Sequence, residues 1–312
     1  MSTASLFSVP AASPTISFEL YPPRTPKGAQ SLPATVARLA SVRPDFFSVT
    51  YGASGRTRET SGALLAHIIE RTDVAPIAHL TCVGASEAEL DEVVTDLIRI
   101  GVRDFLALRG DPPEGEPDWR PHPEGFTSAS ELVHLLRRVE ARELAGTADT
   151  ASPLSISVAA YPGGSYDAAG SPVVEPHTIQ ALLAKQNAGA DYAITQVFFD
   201  PACYGTFVQT AREAGVHIPI VPGIIPLTDP RRLRRLESLT GVPVPPTLLQ
   251  HLEGAADPDD QYARGLAAGA DLVHGVLEAG APGLHVYTFN SSGPALDLLA
   301  AAGLRPAPAE QH

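Results

Sequence analysis

The sequence predicts one (β/α)8 TIM barrel over residues 16–305, with flexible segments at 1–15 and 306–312. Eight short runs of β-type residues alternate with windows of helical apolar spacing, the pattern of parallel strands joined by crossover helices. Eight such units in about 300 residues fit the usual size of this barrel. A doubly wound dinucleotide-binding sheet is disfavoured, because Pro-Pro-Arg follows the first strand and no GxGxxG motif occurs.

The predicted strands are short runs rich in β-branched and aromatic residues. In the first of them Ile16, Phe18 and Leu20 alternate with more polar neighbours that include Glu19, so the strand has one apolar and one less apolar face. The eight predicted strands are 16–21, 45–51, 77–83, 104–109, 155–161, 192–198, 219–225 and 283–289.

The helices between these strands carry recognisable start signals. The window 86–100 has a single apolar stripe, begins with the capping box Ser86-x-x-Glu89 and is followed by Gly101. A second capping box, Ser128-x-x-Glu131, opens the next helix, and a third helix follows Pro201. Strand and helix signals therefore alternate as a parallel barrel requires.

Composition excludes several classes of function. The 312 residues carry 22 basic and 35 acidic side chains, a net charge of −13, which argues against nucleic acid or an anionic membrane as partner. Cys82 and Cys203 lie far apart in apolar contexts and are expected to be buried thiols. The ten histidines show no metal-ligand spacing. Without a leader pattern or a long apolar run, we expect a cytoplasmic protein with no transmembrane helix.

Chemistry on such a barrel sits at the carboxyl ends of the strands. The long Pro- and Gly-rich loops 112–127, with Trp119, and 163–176 are expected to be lids or cofactor walls. Glu19 is the most informative strand-end residue: a carboxyl that burial keeps protonated near neutrality can act as a general acid, whereas a solvated one at the rim would be idle. The strand-end rule selects Glu19, Thr50, Tyr51, His79, Arg109, Gly110, Asp111, Tyr161, Gln196, Gly223 and Tyr287.

Motifs at these strand ends resemble those of a known family. They are FELYPPR at 18–24, SVTYG at 48–52, HLTC at 79–82, LRGD at 108–111, AYP at 160–162, AGADYAITQ at 188–196, PGIIP at 222–226 and YTFN at 287–290. In this order they resemble the catalytic barrel of 5,10-methylenetetrahydrofolate reductases. The resemblance covers residues 16 to 305.

The resemblance implies reduction of methylenetetrahydrofolate to 5-methyltetrahydrofolate with electrons from NAD(P)H, NADH being favoured. Glu19 matches the family's proton donor to N10 of the folate. Asp111 and Gln196 match positions that contact the pterin, and Tyr287 is expected to bind the substrate as well. Alternatives stay open for three residues: Asp111 as a helix cap, Gln196 as an amide that fills the lumen, and His79 as a hydrogen-bonded core histidine.

The resemblance also implies FAD, but the match is incomplete. The family's flavin contacts are kept at Thr50, His79, Arg109, Gly110, Asp111, Tyr161 and Lys185. They are replaced at Ser128, Ser165, Thr178, Ala181 and Ala184, where polar or aromatic groups are usual. We therefore expect hydride to pass from NAD(P)H directly to the folate, with an ordinary FAD enzyme and a non-catalytic folate-binding barrel as alternatives. Ser291 stands where the family often has an arginine for the folate's glutamate, and no feature indicates an oligomeric state.

Overall fold

The computed structural model describes residues 2–7, 13–23, 25–50, 55–111, 120–145 and 153–305, with only the backbone described at 55–58. Arg24, Tyr51, Gly52 and Trp119 lie outside the described residues, as does the segment 306–312. What the sequence predicts for them stays a prediction.

Strands and helices alternate along most of the chain, but the eighth strand follows the seventh directly, and three helices lie between the eighth strand and the ninth. The strands are β1 Thr15–Leu20, β2 Phe46–Val49, β3 Ala75–Thr81, β4 Asp104–Leu108, β5 Ser155–Ala160, β6 Tyr192–Thr195, β7 Ile220–Val221, β8 Gly223–Ile224 and β9 Gly283–Tyr287. The helices are α1 Pro26–Ala40, α2 Gly55–Arg71, α3 Glu87–Arg99, α4 Ala129–Glu143, α5 Pro176–Asn187, α6 Pro201–Glu213, α7 Pro230–Thr240, α8 Pro246–Glu253, α9 Pro258–Glu278 and α10 Ser292–Ala301.

The strands form one parallel sheet in the order β7-β6-β5-β4-β3-β2-β1-β9-β8. Its two outer strands, β7 and β8, are neighbours in sequence and are separated by Pro222 alone. The predicted strand 219–225 is therefore two short strands, because proline has no N–H to donate to the ladder. The Pro222 carbonyl still accepts from the His285 N–H at 2.9 Å. This interrupted strand closes the sheet on itself, and the predicted barrel is confirmed.

Two apolar clusters form the core of the protein. The larger one lies between strands and helices and includes Ile16, Phe18 and Leu20, as the alternation in the first strand predicts. The smaller one consists of side chains on the opposite face of the strands, inside the barrel: Phe46, Ile77, Leu106, Tyr192, Ile194 and Val221. Cys82 and Cys203 are both free and buried, as expected.

The predicted helix starts are confirmed. Both capping boxes are present: Ser86 caps α3 with Glu89, and Ser128 caps α4 with Glu131. The helix predicted after Pro201 is α6, whose N-cap is Asp200. Within the described part of the chain, no helix is long and apolar enough to cross a membrane.

One expectation does not hold at the amino terminus. Thr3–Phe7, inside the segment 1–15 expected to be flexible, form a 3₁₀ helix, and Thr3 is only 1% exposed. The Thr3 hydroxyl donates to Asp104 Oδ1 at 2.7 Å and lies 2.8 Å from Ser155 Oγ and 3.1 Å from the Tyr192 hydroxyl. Because Asp104 and Ser155 begin β4 and β5, this helix covers the amino-terminal end of the barrel. A helix this short has no periodicity that could predict it.

The Thr3 contacts predict a stability effect. Thr3→Val keeps the shape but removes the hydroxyl, so the unfolding free energy in urea should fall by about 1–3 kcal/mol, the usual cost of a buried polar group that loses its partner. The loss should be larger at pH 8 than at acid pH, because burial raises the pKa of Asp104 and the protonated carboxyl needs less compensation. Ser5→Ala, at an exposed site of the same helix, is the control. Equal stability of the two variants would contradict this role for Thr3.

Candidate active site

The carboxyl ends of the strands bring the predicted site residues to one mouth of the barrel. Parallel register places Glu19 on β1 beside Ser48 of β2 and Tyr287 of β9. Thr50 follows β2 and His79 lies within β3. The loop after β4 carries Arg109, Gly110 and Asp111, while Tyr161 follows β5 and Gln196 follows β6.

Glu19 is half-buried between its two neighbouring strands. The Thr50 hydroxyl donates a hydrogen bond to its Oε1 at 3.0 Å. Loss of water around the carboxyl raises the pKa of Glu19 from 4.5 to about 7, and the hydrogen bond from Thr50 opposes this shift only in part. A carboxyl in this environment holds its proton through much of the neutral range. That is the property expected of a general acid.

Tyr287 forms the wall beside Glu19. Its hydroxyl donates to the Thr195 carbonyl of β6 at 2.8 Å, past the interrupted strand β7–β8 that lies between β6 and β9. A Cβ at Gly223 would come within 2.6 Å of Tyr287 Cε2, so this glycine makes room for the ring. Burial raises the pKa of Tyr287 above its usual value, and the charge of Glu19 raises it further. Because its hydroxyl is already engaged, the ring face is the part of Tyr287 that remains available to a ligand.

Two histidines lie in the lumen, and one was missed by the sequence reasoning. His285, on the same strand face as Tyr287, is buried between Ser17 Oγ, 2.8 Å from its Nδ1, and Ser48 Oγ, 3.1 Å from its Nε2. Burial lowers the pKa of His285 to about 3, so its ring is neutral. The alternation of side chains along the strand, two residues from Tyr287, was the signal that could have found it.

His79 is 5% exposed, and among the described residues its Nε2 has no hydrogen-bond partner. Burial lowers the pKa of His79 to about 3, so this ring is neutral too. Its surroundings do not fit the alternative of a hydrogen-bonded core histidine, because the described part of the chain leaves Nε2 without a partner. A buried polar nitrogen in that state costs free energy. A ligand group that hydrogen-bonds to this nitrogen would remove that cost.

A cationic sector lies across β4, β5 and α5. Lys185 Nζ donates to the Ala159 carbonyl at 2.8 Å and lies 5.6 Å from the centre of the Tyr161 ring, which is 47% exposed. Burial, together with the charge of Arg109, lowers the pKa of Lys185 to about 8. Gly110 has a positive φ of 84°, and a Cβ there would come within 2.7 Å of Val83 Cγ1. This glycine therefore fixes the turn between Arg109 and Asp111.

Asp111 and Gln196 occupy the rim near this sector. Asp111 is exposed, and its charge contributes to the raised pKa of Tyr161. It is not the cap of α4, because Ser128 fills that position. Gln196 is half-buried, and its Oε1 accepts from the Val197 N–H at 2.9 Å, which leaves the amide NH2 group to meet a ligand.

The positions that depart from the family's flavin contacts offer few donors. Ala181 and Ala184 are exposed on α5, and the Thr178 hydroxyl donates to the Glu175 carbonyl at 2.7 Å. The Ser128 hydroxyl belongs to the capping box of α4, and Ser165 is exposed. Two of the three hydroxyls at these five positions are thus already engaged with the protein.

Comparison with known proteins gives one family. The model of the methylenetetrahydrofolate reductase family matches residues 7–303. A 5,10-methylenetetrahydrofolate reductase of Pectobacterium carotovorum is 33% identical over 300 residues, covering 93% of this chain and 91% of its own. Methylenetetrahydrofolate reductase (NADH) 1 of Arabidopsis thaliana is 31% identical over 294 residues, 92% of this chain and 48% of its own.

A solved structure supports the fold. It is an uncharacterized protein from Clostridium thermocellum, described as binding two copies of 5-methyl-5,6,7,8-tetrahydrofolic acid. It superposes with a TM-score of 0.61 over 93% of this chain and 94% of its own, at 15% identity. At that identity the likeness establishes the barrel fold alone.

The environment of Glu19 predicts a pH-dependent stability. Its pKa is about 7 in the folded protein, against 4.5 ordinarily, so the folded state holds more protons between these two values. The stability contributed by the neutral carboxyl is complete below about pH 4.5 and is lost as the pH rises through about 7. Glu19→Gln cannot lose a proton, so its unfolding free energy relative to wild type should rise across this window and then level off.

The measurement is urea unfolding from pH 4 to pH 8.5. Glu278→Gln, at an exposed position of α9, is the matched control and should follow the wild type at every pH. A constant difference between Glu19→Gln and wild type would show that Glu19 titrates alike in the folded and unfolded chains, contrary to the prediction.

Proposed function

The chain belongs to the methylenetetrahydrofolate reductase family, and on this premise we propose that it reduces 5,10-methylenetetrahydrofolate to 5-methyltetrahydrofolate with NAD(P)H. The observation that carries the proposal is the half-buried carboxyl of Glu19, whose pKa is raised to about 7 at the mouth of the barrel. A barrel that only bound folate would not need a carboxyl kept protonated there.

Glu19 supplies the proton that opens the substrate's five-membered ring. Protonation of N10 lets the bond between N10 and the bridging carbon break, and the lone pair of N5 forms the iminium. A hydride from the nicotinamide then adds to the bridging carbon, which becomes the methyl group, and the nicotinamide is oxidised. Glu19 regains a proton from water, so each turnover consumes one proton and one reduced nicotinamide.

In this proposal the side chains of Asp111 and Gln196 bind the pterin ring of the substrate. The Asp111 carboxylate offsets positive charge as the iminium forms, an interaction stronger in the transition state than in the bound substrate. The Gln196 amide binds the pterin before and after the chemical step, and the ring of Tyr287 supports the substrate beside Glu19. Thr50 helps to set the pKa of the acid.

The residues at the mouth do not fit tight binding of FAD. Each charge-assisted hydrogen bond contributes about 1.5–3 kcal/mol, and alanines at 181 and 184 donate none. Thr178 and Ser128 use their hydroxyls within the protein. We propose instead that NAD(P)H, with NADH favoured, lies in the sector of Tyr161, with Arg109 and Lys185 as the cations for its diphosphate and His79 as a hydrogen-bond partner.

The second candidate is the FAD-dependent form of the same reaction. What favours it is the set of family flavin contacts that the chain keeps: Thr50, His79, Arg109, Gly110, Asp111, Tyr161 and Lys185. These residues suit either dinucleotide, because both present a diphosphate and an aromatic ring. The five replaced positions separate the two candidates and favour the direct reaction.

The proposal is tested by turnover of the purified protein from which flavin has been removed. Wild type should reduce methylenetetrahydrofolate with NADH, and Glu19→Gln should lower kcat by about 10²–10⁴-fold, the usual contribution of general acid catalysis, while still binding folate. The wild-type rate should fall with rising pH above about 7, where Glu19 loses its proton.

Thr50→Val is the matched variant for the pH profile. It removes the hydrogen bond that lowers the pKa of Glu19, so the falling limb of the profile should move to higher pH. Two results would show that Glu19 is not the general acid: a kcat of Glu19→Gln equal to that of wild type, or a pH–rate profile of Thr50→Val whose falling limb stays at the wild-type pH.

A further inference from the structure

Four arginines stand at the start of α7, the helix that follows β8 and therefore begins at the mouth of the barrel. They are Arg231, Arg232, Arg234 and Arg235. The chain as a whole has a net charge of −13, so this is a local reversal of the protein's charge. An anionic ligand of such a protein has to be captured by a local cluster of donors rather than by the overall field.

Arg232 is the member of this cluster that packs on an aromatic ring at the end of β9. Its guanidinium carbon lies 4.9 Å from the centre of the Phe289 ring, and the side chain is half-buried. No carboxylate among the described residues forms an ion pair with it. Phe289 comes two residues after Tyr287, which ends β9 and pairs with Glu19 of β1, so Arg232 lies at the same end of the barrel as Glu19.

Phe289 is a fixed platform for that arginine. Its φ is +51°, an unusual value for a residue with a side chain, and its carbonyl accepts a hydrogen bond from the Tyr21 hydroxyl at 3.0 Å. The next residue, Asn290, pairs with the backbone of Tyr21 through both side-chain atoms, at 3.0 and 2.7 Å. The residues that follow β9 are thereby tied to Tyr21, which follows β1, the strand that carries Glu19.

The other arginines differ in how far they are neutralised. Arg234 forms an ion pair with Glu253 of α8. Arg231 is 93% exposed, and its Nε lies 3.5 Å from Asp229, the N-cap of the helix. Arg235 is exposed one helical turn beyond Arg231 and Arg232. Because residues three and four apart are neighbours on a helix, Arg235 lies beside both Arg231 and Arg232. We call these three arginines the α7 strip; Arg232 is half-buried, and the other two are exposed.

We propose that the α7 strip binds the glutamate tail of the folate substrate, with Arg232 on the carboxylates of the first glutamate and Arg231 and Arg235 on further γ-linked glutamates. This inference rests on the proposed function. It supplies a cation for the tail where Ser291 lacks one. It also separates the two anionic substrates, because Arg109 and Lys185 occupy the β4–α5 sector and the strip follows β8.

The test is a comparison of substrates with and without the tail. KM is measured for methylenetetrahydrofolate carrying one glutamate, for the triglutamate, and for methylenetetrahydropteroate, which has no glutamate. Arg232→Gln keeps a polar side chain over Phe289 but removes the charge. Arg234→Gln is the matched control, because it makes the same charge change on the same helix at an arginine already paired with Glu253.

Arg232→Gln should raise KM for the monoglutamate about tenfold, the lower end of what a lost charge-assisted contact costs. KM for the tail-less substrate and for NADH should stay unchanged, and Arg232→Lys should restore part of the loss. The double variant Arg231→Gln/Arg235→Gln should raise KM for the triglutamate more than for the monoglutamate. Added salt should reduce the advantage of the triglutamate in wild type.

Three results would overturn the inference. An Arg232→Gln variant that behaves like Arg234→Gln would remove Arg232 from substrate binding while leaving the reductase activity in place. An equal rise in KM for the tail-less substrate would assign Arg232 a general structural effect. Wild-type protein that neither reduces methylenetetrahydrofolate nor binds 5-methyltetrahydrofolate would overturn the proposed function itself, and the inference with it.

Discussion

The site depends on the exclusion of water from the upper lumen of the barrel. This one constraint raises the pKa of Glu19 to about 7 and lowers the pKa of His79 and His285 to about 3. An imidazolium beside Glu19 would stabilise the carboxylate and return its pKa toward the usual range. Because both rings are neutral and the cations Arg109 and Lys185 lie in another sector, the carboxyl keeps its proton. The serines around His285 satisfy that ring without adding charge.

The same geometry divides the mouth into three parts. Glu19, the proposed proton donor, lies on β1 between Thr50 and Tyr287. Arg109 and Lys185 lie across β4 and α5, and the α7 strip lies after β8. Separate cationic regions suit the proposed hydride transfer between two anionic substrates, because two like-charged tails repel each other. In the proposed reaction each cationic region would take one tail, and the reacting rings would meet near the carboxyl.

The sequence predicted much of the fold because period and capping are local signals. The alternation of apolar and polar side chains in β1 depends on residues a few positions apart, and so do the capping boxes at Ser86 and Ser128. What it missed depends on contacts that are distant in sequence. Thr3 is ordered by Asp104 and Tyr192, about 100 and 190 residues away, and the break at Pro222 matters only because β7 and β8 meet different neighbours. Arg232 could not be selected from the sequence either, because its contact with the Phe289 ring joins two residues that are far apart in the chain.

The central claim is that hydride passes directly from the nicotinamide to the folate. The most direct measurement is the fate of deuterium from the transferring position of NADH, with the product methyl group analysed by mass spectrometry. Direct transfer predicts one deuterium in each methyl group and none in the solvent. Reduction through a flavin would place the label on a nitrogen that exchanges with water, so product methyl groups without deuterium would contradict the account.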